Sequence, residues 1–260
     1  MEKHVTISPG AGVGVLVLSG SSGRVEEQRC DLLAEHGVTA MSIRWWGGAG
    51  QPPGICEVPL ETFVAALDLL VETGVSRLAV LGGSKGAEAA LMLACLEPRV
   101  NVVIAVSPSS VVWANIGPGL DGASTPYRSS WTWHGKPLPF TPYPAEWPDH
   151  GPPMSFRAFY ERGLAAAPPE SAIPLERTRA DVLLVAGADD QLWPSLTFAE
   201  ALAERREVRI VSHPSAGHRP RFPGESPAQP SPSFLYGGSA DADAALGAAA
   251  WPHVLAMLGS

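Results

Sequence analysis

The sequence predicts an α/β protein with a mainly parallel sheet covered by helices on both faces. Short apolar runs alternate along the chain with longer amphipathic stretches, as strands alternate with helices in such sheets. Hydrophobic residues make up 45% of the chain and charged residues 17%, a balance typical of globular proteins. The length of 260 residues suits one α/β domain with a large core.

The predicted elements alternate from residue 13 to residue 257. Gly37 and Gly74 follow two of the helices, where glycine readily adopts the left-handed conformation that ends a helix. Pro252 lies inside the last helix and is expected to make it irregular. Strands are predicted at 13–18, 38–44, 78–81, 102–106, 182–186 and 208–211, and helices at 25–36, 60–73, 87–96, 195–205 and 240–257.

Ser84 is the central residue of a Gly-x-Ser-x-Gly motif. The motif lies between a predicted strand and a predicted helix, where a sharp turn can present a serine nucleophile. Such a turn puts the serine in sparsely populated backbone angles, and side chains at Gly82 and Gly86 would clash there. The motif alone is a weak signal in a chain with 27 glycines, and the alternative is an ordinary glycine-rich loop.

A nucleophilic serine needs a base and a carboxylate that orients the base, expected here in the chain order Ser, Asp, His. Asp189 and Asp190 follow one predicted strand, so one can face the histidine while the other caps the next helix or faces solvent. His213 and His218 follow the next strand, and His213 is the more structural of the two because it is so near the strand end. We therefore predict a catalytic triad of Ser84, Asp190 and His218.

The oxyanion hole is expected to use two backbone N–H groups. One belongs to Lys85, which follows the nucleophile, and the other to the loop after the first strand. Ser21 is predicted to supply the second, because the small residues at 19–23 let the backbone approach a substrate oxygen. The alternative for that loop is a simple strand-to-helix turn. The Lys85 side chain is expected to be a solvated charge or to assist a phosphate-bearing substrate.

Residues 108–172 interrupt the alternation and hold 12 of the 26 prolines and 4 of the 8 tryptophans. An insertion of this length is typical of a lid or a binding loop. The aromatic side chains are predicted either to line an acyl pocket or to pin the insertion onto the body of the domain. A second stretch, 214–238, is also rich in Pro, Ser and Gly. The sequence shows no internal repeat and no hinge between domains.

Composition excludes several classes of protein. The formal net charge of −8 argues against nucleic acid or an anionic membrane as a main partner. The chain has no apolar run of about 18 residues that could span a membrane, and its start lacks the apolar stretch of a secretory signal. Three scattered cysteines are too few for a disulfide framework or a zinc site. The expected compartment is the cytoplasm.

Four stretches resemble the C-terminal catalytic domain of acyl-CoA thioesterases and bile acid-CoA:amino acid N-acyltransferases, a branch of the α/β hydrolases. The Ser-Lys-Gly-Ala-Glu string within the first is much more specific than Gly-x-Ser-x-Gly alone. The resemblance implies the α/β-hydrolase fold and the same triad of Ser84, Asp190 and His218. The four stretches are 82–88, 187–193, 215–218 and 236–238; segments 106–113 and 130–139 also resemble bacterial members, so the likeness runs from about residue 10 to the C-terminus.

The sequence departs from this family in two ways. Longer members carry an N-terminal β-sandwich domain, whereas this chain begins almost directly at the region that resembles the catalytic domain. Members that conjugate amino acids typically use a cysteine nucleophile, whereas position 84 is serine. A serine acyl-enzyme is an oxygen ester, which is less reactive toward amines than a thioester, so serine favours water as the acceptor.

The sequence therefore predicts a single α/β-hydrolase domain over residues 1–260 that cleaves an acyl thioester through a seryl acyl-enzyme. The expected substrate is a small acyl thioester or ester, with coenzyme A or an acyl carrier protein as the thiol carrier. No metal or redox cofactor is implied. The alternatives are an acyltransferase with an amine or alcohol acceptor, a carboxylesterase or dienelactone-hydrolase-like enzyme, and a hydrolase-fold protein that only binds an acylated partner.

Overall fold

A computed structural model describes residues 2–259 of the chain. The strands are β1 (Lys3–Thr6), β2 (Val13–Leu18), β3 (Thr39–Ile43), β4 (Val58–Pro59), β5 (Arg77–Gly83), β6 (Val100–Val106), β7 (Trp131–Trp133), β8 (Lys136–Pro137), β9 (Asp181–Gly187) and β10 (Arg209–His213). The α-helices are α1 (Glu27–Glu35), α2 (Glu61–Val71), α3 (Lys85–Leu96), α4 (Arg157–Ala165), α5 (Ser195–Arg205) and α6 (Ala240–Leu258).

Seven strands form the central sheet in the order β1-β3-β2-β5-β6-β9-β10. β1 runs antiparallel to β3, and all the other neighbouring pairs are parallel. The loops that follow β2, β5, β6, β9 and β10 therefore leave the sheet at one edge, which is where open parallel sheets place their binding sites. β4, β7 and β8 form a separate small sheet.

Alternate residues of the strands are buried in two hydrophobic cores, one on each face of the sheet. Leu16 and Leu18 of β2 belong to the core that α2, α3 and α5 cover. Val15 and Val17 belong to the core that α1 and α6 cover. Because successive strand residues point to opposite faces, the apolar runs of the sequence are buried on both sides. The predicted mainly parallel sheet with helices on both faces is confirmed.

Most predicted elements agree with the structure to within two residues at each end. Gly37 and Gly74 have φ of 78° and 94°, so both adopt the predicted left-handed conformation. α6 continues through Pro252, whose side chain is exposed, and the helix is not broken there. Three features were not predicted: β1, the small β4-β7-β8 sheet and α4. Their short or polar sequences carry little periodic signal. β1 is stabilised by pairing with β3, β4 by pairing with β7, and α4 by the burial of Phe159.

The segment 108–172 contains β7, β8 and α4 and packs through its aromatic side chains. Trp113 and Tyr143 are buried and stacked in a third apolar cluster, which also includes Phe159 of α4 and Phe198 of α5. Trp131 is fully buried in the core beside Trp45. These contacts favour the interpretation that the aromatic residues pin the segment onto the body of the domain.

Within residues 2–259, no helix is both long and apolar enough to cross a membrane. The same residues contain no cluster of three or more His, Cys, Asp or Glu side chains arranged to hold a metal ion.

Candidate active site

Ser84 lies on the turn between β5 and α3, in a strained backbone conformation. Its φ and ψ are 55° and −121°, and its N–H donates to the carbonyl of Val106 at 2.9 Å. A Cβ atom on Gly82 would lie 2.1 Å from the carbonyl oxygen of Gly86, and one on Gly86 would lie 2.3 Å from that of Ser19. The predicted steric reason for both glycines is confirmed. A positive φ at a serine is strained, and strained backbone of this kind is found at functional sites.

Asp190 and His218 lie in the turns that follow β9 and β10, and the structure brings them together. His218 Nδ1 is 2.7 Å from Asp190 Oδ2, and both side chains are buried. Asp190 Oδ1 accepts hydrogen bonds from the N–H groups of Leu192 at 2.9 Å and Trp193 at 3.1 Å. The Ser195 hydroxyl donates to Asp190 Oδ2. These donors hold the carboxylate in one orientation toward the imidazole.

Asp189 and His213, the alternatives to Asp190 and His218, have other hydrogen-bond partners. Asp189 is exposed, and its carboxylate accepts hydrogen bonds from Gly238 N at 3.0 Å and Gln191 Nε2 at 3.0 Å. It therefore ties the 236–238 turn to the turn after β9 rather than facing a histidine. His213 is the last residue of β10, and its Nδ1 accepts from the Ser215 N–H at 3.2 Å.

Several neighbours that sequence analysis did not single out fix the His218 imidazole. Trp193 meets the ring edge-on at 5.5 Å between centroids, and Tyr236 stacks beside it at 5.8 Å. The backbone of His218 is also held: its amide N–H donates to the Tyr236 carbonyl at 2.9 Å, and its carbonyl accepts from the Ser107 hydroxyl at 2.9 Å. Trp193 and Tyr236 stand within stretches that carry the family resemblance, and that signal could have identified them.

A cavity of about 570 Å³ opens beside Ser84 and His218, and Ser21 also lines it. Gly20 lies against Ser84, because a Cβ atom on Gly20 would be 3.1 Å from Ser84 Cβ. Lys85 is the first residue of α3, so its N–H has no acceptor within the helix. Within residues 2–259 the Ser21 N–H donates to no acceptor. Two amide donors near Ser84 are therefore available to a bound molecule.

The Lys85 side chain is not the solvated charge that the sequence suggested. It is 1% exposed, and its Nζ donates to Glu88 Oε1 at 2.7 Å and to the Ser130 hydroxyl at 2.9 Å. Burial lowers the pKa of Lys85 and raises that of Glu88, while the attraction between the two charges opposes both shifts. Lys85 does not line the cavity beside Ser84, so its expected assistance to a phosphate-bearing substrate is wrong.

Glu88 links α3 to the segment 108–172. Its Oε1 accepts from the indole N–H of Trp131 at 2.8 Å and from the backbone N–H of Trp113 at 3.1 Å. The Glu of the Ser-Lys-Gly-Ala-Glu string is therefore a buried anchor beneath the turn that carries Ser84. Of residues 2–259, those that line the cavity at Ser84 all lie outside the segment 108–172. The aromatic side chains of that segment thus do not form the wall of this cavity, and a lid role for it stays a prediction.

The fold defined by this sheet and these connections is that of the α/β hydrolases. A putative dienelactone hydrolase from Klebsiella pneumoniae superposes with a TM-score of 0.57 at 16% identity, covering 99% of this chain and 92% of that one. A puromycin-hydrolyzing peptidase from Mycobacterium tuberculosis superposes with a TM-score of 0.55 at 19% identity, covering 99% of this chain and 36% of that one.

The chain belongs to the family described as BAAT / Acyl-CoA thioester hydrolase C terminal, which it matches over residues 58–259. It is 25% identical to human acyl-coenzyme A thioesterase 6 over 260 residues, covering 93% of this chain and 58% of the relative. It is 24% identical to mouse bile acid-CoA:amino acid N-acyltransferase over 269 residues, covering 97% of this chain and 61% of the relative. The chain thus spans little more than half the length of these relatives.

Proposed function

We propose that this protein hydrolyses an acyl thioester through a seryl acyl-enzyme. The observation that carries the proposal is the meeting of Ser84 and His218 at one cavity, with the His218 imidazole 2.7 Å from the buried Asp190 carboxylate. The family supports acyl-CoA as the substrate class, since its relatives are named as acyl-CoA thioesterases and acyltransferases.

In the first half-reaction the Ser84 hydroxyl attacks the thioester carbonyl while His218 Nε2 accepts its proton. Asp190 holds the Nδ1–H tautomer and stabilises the imidazolium that forms. The N–H groups of Lys85 and Ser21 donate to the oxyanion. Collapse of the tetrahedral intermediate breaks the C–S bond, and the proton on His218 goes to the departing thiol.

In the second half-reaction a water molecule attacks the acyl-enzyme ester. His218 accepts the proton from water and then returns it to the Ser84 oxygen, so the products are the free acid and the original enzyme. The resident groups of the chain supply every proton transfer in this scheme, and coenzyme A or another thiol leaves as a product.

Replacing Ser84 by Ala should reduce kcat by a factor of about a thousand or more, because the covalent step is lost. The measurement is thiol release from a panel of acyl-CoA and acyl-ester substrates, together with fluorophosphonate labelling of the protein. Ser22→Ala is the matched control, since Ser22 is another serine of the same cavity and should keep both labelling and turnover. Turnover by folded Ser84→Ala protein would contradict the mechanism. Cleavage of oxygen esters alone would favour a carboxylesterase, and acyl-ligand binding without turnover would favour a binding protein.

The second candidate is acyl transfer to an amine or alcohol, which the N-acyltransferase relative favours. We expect wild-type protein to release free acid at a rate insensitive to glycine or taurine, because the acyl-enzyme is an oxygen ester. Ser84→Cys should hydrolyse more slowly and begin to form amide, because amines attack a thioester more readily. Product ratios by mass spectrometry across amine concentration test this. Mostly amide or ester from wild-type protein would replace the hydrolase assignment with the transferase one.

A further inference from the structure

Two closely spaced arginines line the cavity beside Ser84. Arg219 and Arg221 both line the cavity, and within residues 2–259 neither forms a salt bridge. Their Nε atoms are buried and find no hydrogen-bond acceptor among the same residues. Buried donors of native proteins are nearly always satisfied, so two unsatisfied Nε–H groups in one cavity indicate a missing acceptor.

The other two arginines of this cavity already have acidic partners. Arg24 is 2.9 Å from Glu26, and Arg29 pairs with Glu225 through two hydrogen bonds, one of 2.8 Å. The remaining acidic side chain of the lining is the exposed Glu27 at the first turn of α1. Asp243 lies behind Arg219 and Arg221 and attracts both, but its Oδ1 accepts from the Gly217 N–H and it forms no salt bridge with either within residues 2–259. The carboxylates that line the cavity itself are outnumbered by its arginines, in a chain whose net charge is −8.

Burial makes these positive charges costly. Burial lowers the pKa of both Arg219 and Arg221, and neighbouring guanidiniums add to the shift. Tyr236 and Asp243 oppose it at Arg219, and Glu225 opposes it at Arg221, but burial outweighs them. For Arg29 the neighbouring Glu225 outweighs burial and raises the pKa. A bound anion would do for Arg219 and Arg221 what Glu225 does for Arg29.

The position of the pair relates it to the reaction. Arg219 directly follows His218, and its guanidinium lies over the Tyr236 ring at 3.8 Å, with one N–H donating to the Gln229 carbonyl at 2.7 Å. This stacking fixes the plane of the Arg219 fork at the wall of the cavity that holds Ser84. A planar guanidinium in a fixed orientation is suited to bidentate binding of phosphate or carboxylate oxygens.

We propose that Arg219 and Arg221 form an anion subsite that binds a phosphate or carboxylate group carried by the substrate away from the scissile bond. The inference rests on the proposed function and assigns the recognition of substrate charge to one part of the cavity. A phosphate would come from the thiol carrier, and a carboxylate from the far end of the acyl group. Either oxyanion would accept from the Nε–H groups of Arg219 and Arg221, which find no acceptor within residues 2–259.

Two pairs of substrates that differ only in one anion distinguish these sources. The first pair is the butyryl thioester of phosphopantetheine and that of pantetheine. The second is the succinyl thioester of pantetheine and its methyl ester. We expect wild-type protein to prefer the anionic member of one pair by about tenfold or more in kcat/KM. The pair that shows the preference identifies phosphate or carboxylate as the group bound.

Arg221→Gln should bring that ratio close to one. Arg24→Gln is the matched control and should keep the wild-type ratio, because Arg24 is exposed and already paired with Glu26. The proposal is overturned if neither anion is preferred, if Arg221→Gln keeps the preference, or if Arg24→Gln loses it equally.

A binding measurement separates this proposal from the proposed function. Calorimetric titration of Ser84→Ala protein with phosphopantetheine, pantetheine, succinate and succinamide needs no turnover. Tighter binding of one anionic probe that Arg221→Gln abolishes supports the subsite even if no thioester is cleaved. Hydrolysis of every thioester with equal affinity for charged and neutral probes would leave the hydrolase assignment in place and refute the subsite.

Discussion

At the scale of single residues, the turn after β9 separates two adjacent aspartates by burial. Asp190 is fully buried and within 2.7 Å of His218, whereas Asp189 is exposed and bound to the Gly238 N–H. The sequence carries no decisive reason to prefer Asp190, since both residues follow the same strand. The two aspartates differ because the turn directs only the Asp190 side chain inward. Kinetics of variants at each position can measure what this difference means for catalysis.

Asp190→Asn should lower kcat by about 10⁴, because an amide in that position favours the wrong tautomer of His218. Asp189→Asn is the matched control and should change kcat only slightly, since it removes contacts to Gly238 and Gln191 outside the cavity. Steady-state kinetics with one acyl thioester compares them. The reverse ranking would assign the role of orienting His218 to Asp189.

At the scale of elements, a buried ion pair anchors α3 beneath the turn that carries Ser84. Lys85 and Glu88 stand at i and i+3 on the helix, and both are buried against the segment 108–172. A buried ion pair is a weak source of net stability, but the loss of one partner leaves an uncompensated charge. The pair therefore makes the start of α3 dependent on the correct docking of that segment.

Lys85→Met should reduce the free energy of unfolding by about 3–5 kcal/mol, because Glu88 is left charged and buried without its cation. The double variant Lys85→Met/Glu88→Gln should be more stable than Lys85→Met, since Gln can still accept from Trp113 and Trp131 without a charge. Urea unfolding of both variants, completed as a double-mutant cycle, measures the coupling. Equal stability of Lys85→Met and wild type would show that the pair is not structurally important.

At the scale of the whole molecule, one ion pair joins parts of the chain that are 196 residues apart. Arg29 of α1 pairs with Glu225 of the 214–238 stretch, and their side chains are 10% and 3% exposed. Burial raises the pKa of Glu225, but the attraction and hydrogen bonds of Arg29 outweigh it and hold the pKa below its ordinary value. The pair fastens one wall of the cavity to the helical layer formed by α1 and α6.

Because the pKa of Glu225 is lower in the folded state than in the unfolded chain, its stabilising effect is complete above the ordinary value of 4.5. The effect is lost as the pH falls below that value through the folded-state pKa. Arg29→Met should cost about 3 kcal/mol at pH 7, and its difference from wild type should shrink at acid pH. Arg24→Met, which removes an exposed pair, should cost less than about 1 kcal/mol. Urea unfolding across pH tests both; a difference that grows toward acid pH would contradict the assignment.

The sequence by itself determined the order of strands and helices and the strand–turn–helix around Ser84. These features follow from local causes: apolar periodicity places strands and helices, and the glycine sterics at Gly82 and Gly86 act within one turn. The family was also readable from short strings of neighbouring residues. The edge strand β1 was not, because its four residues are held by pairing with β3 rather than by their own pattern.

Only the tertiary structure decided which aspartate approaches His218 and that Lys85 is buried. It also decided that Arg29 pairs with Glu225, whereas Arg219 and Arg221 line the cavity without a salt bridge within residues 2–259. Each of these depends on contacts between residues far apart in the chain. Charge, burial and hydrogen-bond partners are set by packing across elements, and a linear sequence specifies such neighbours only through the completed fold.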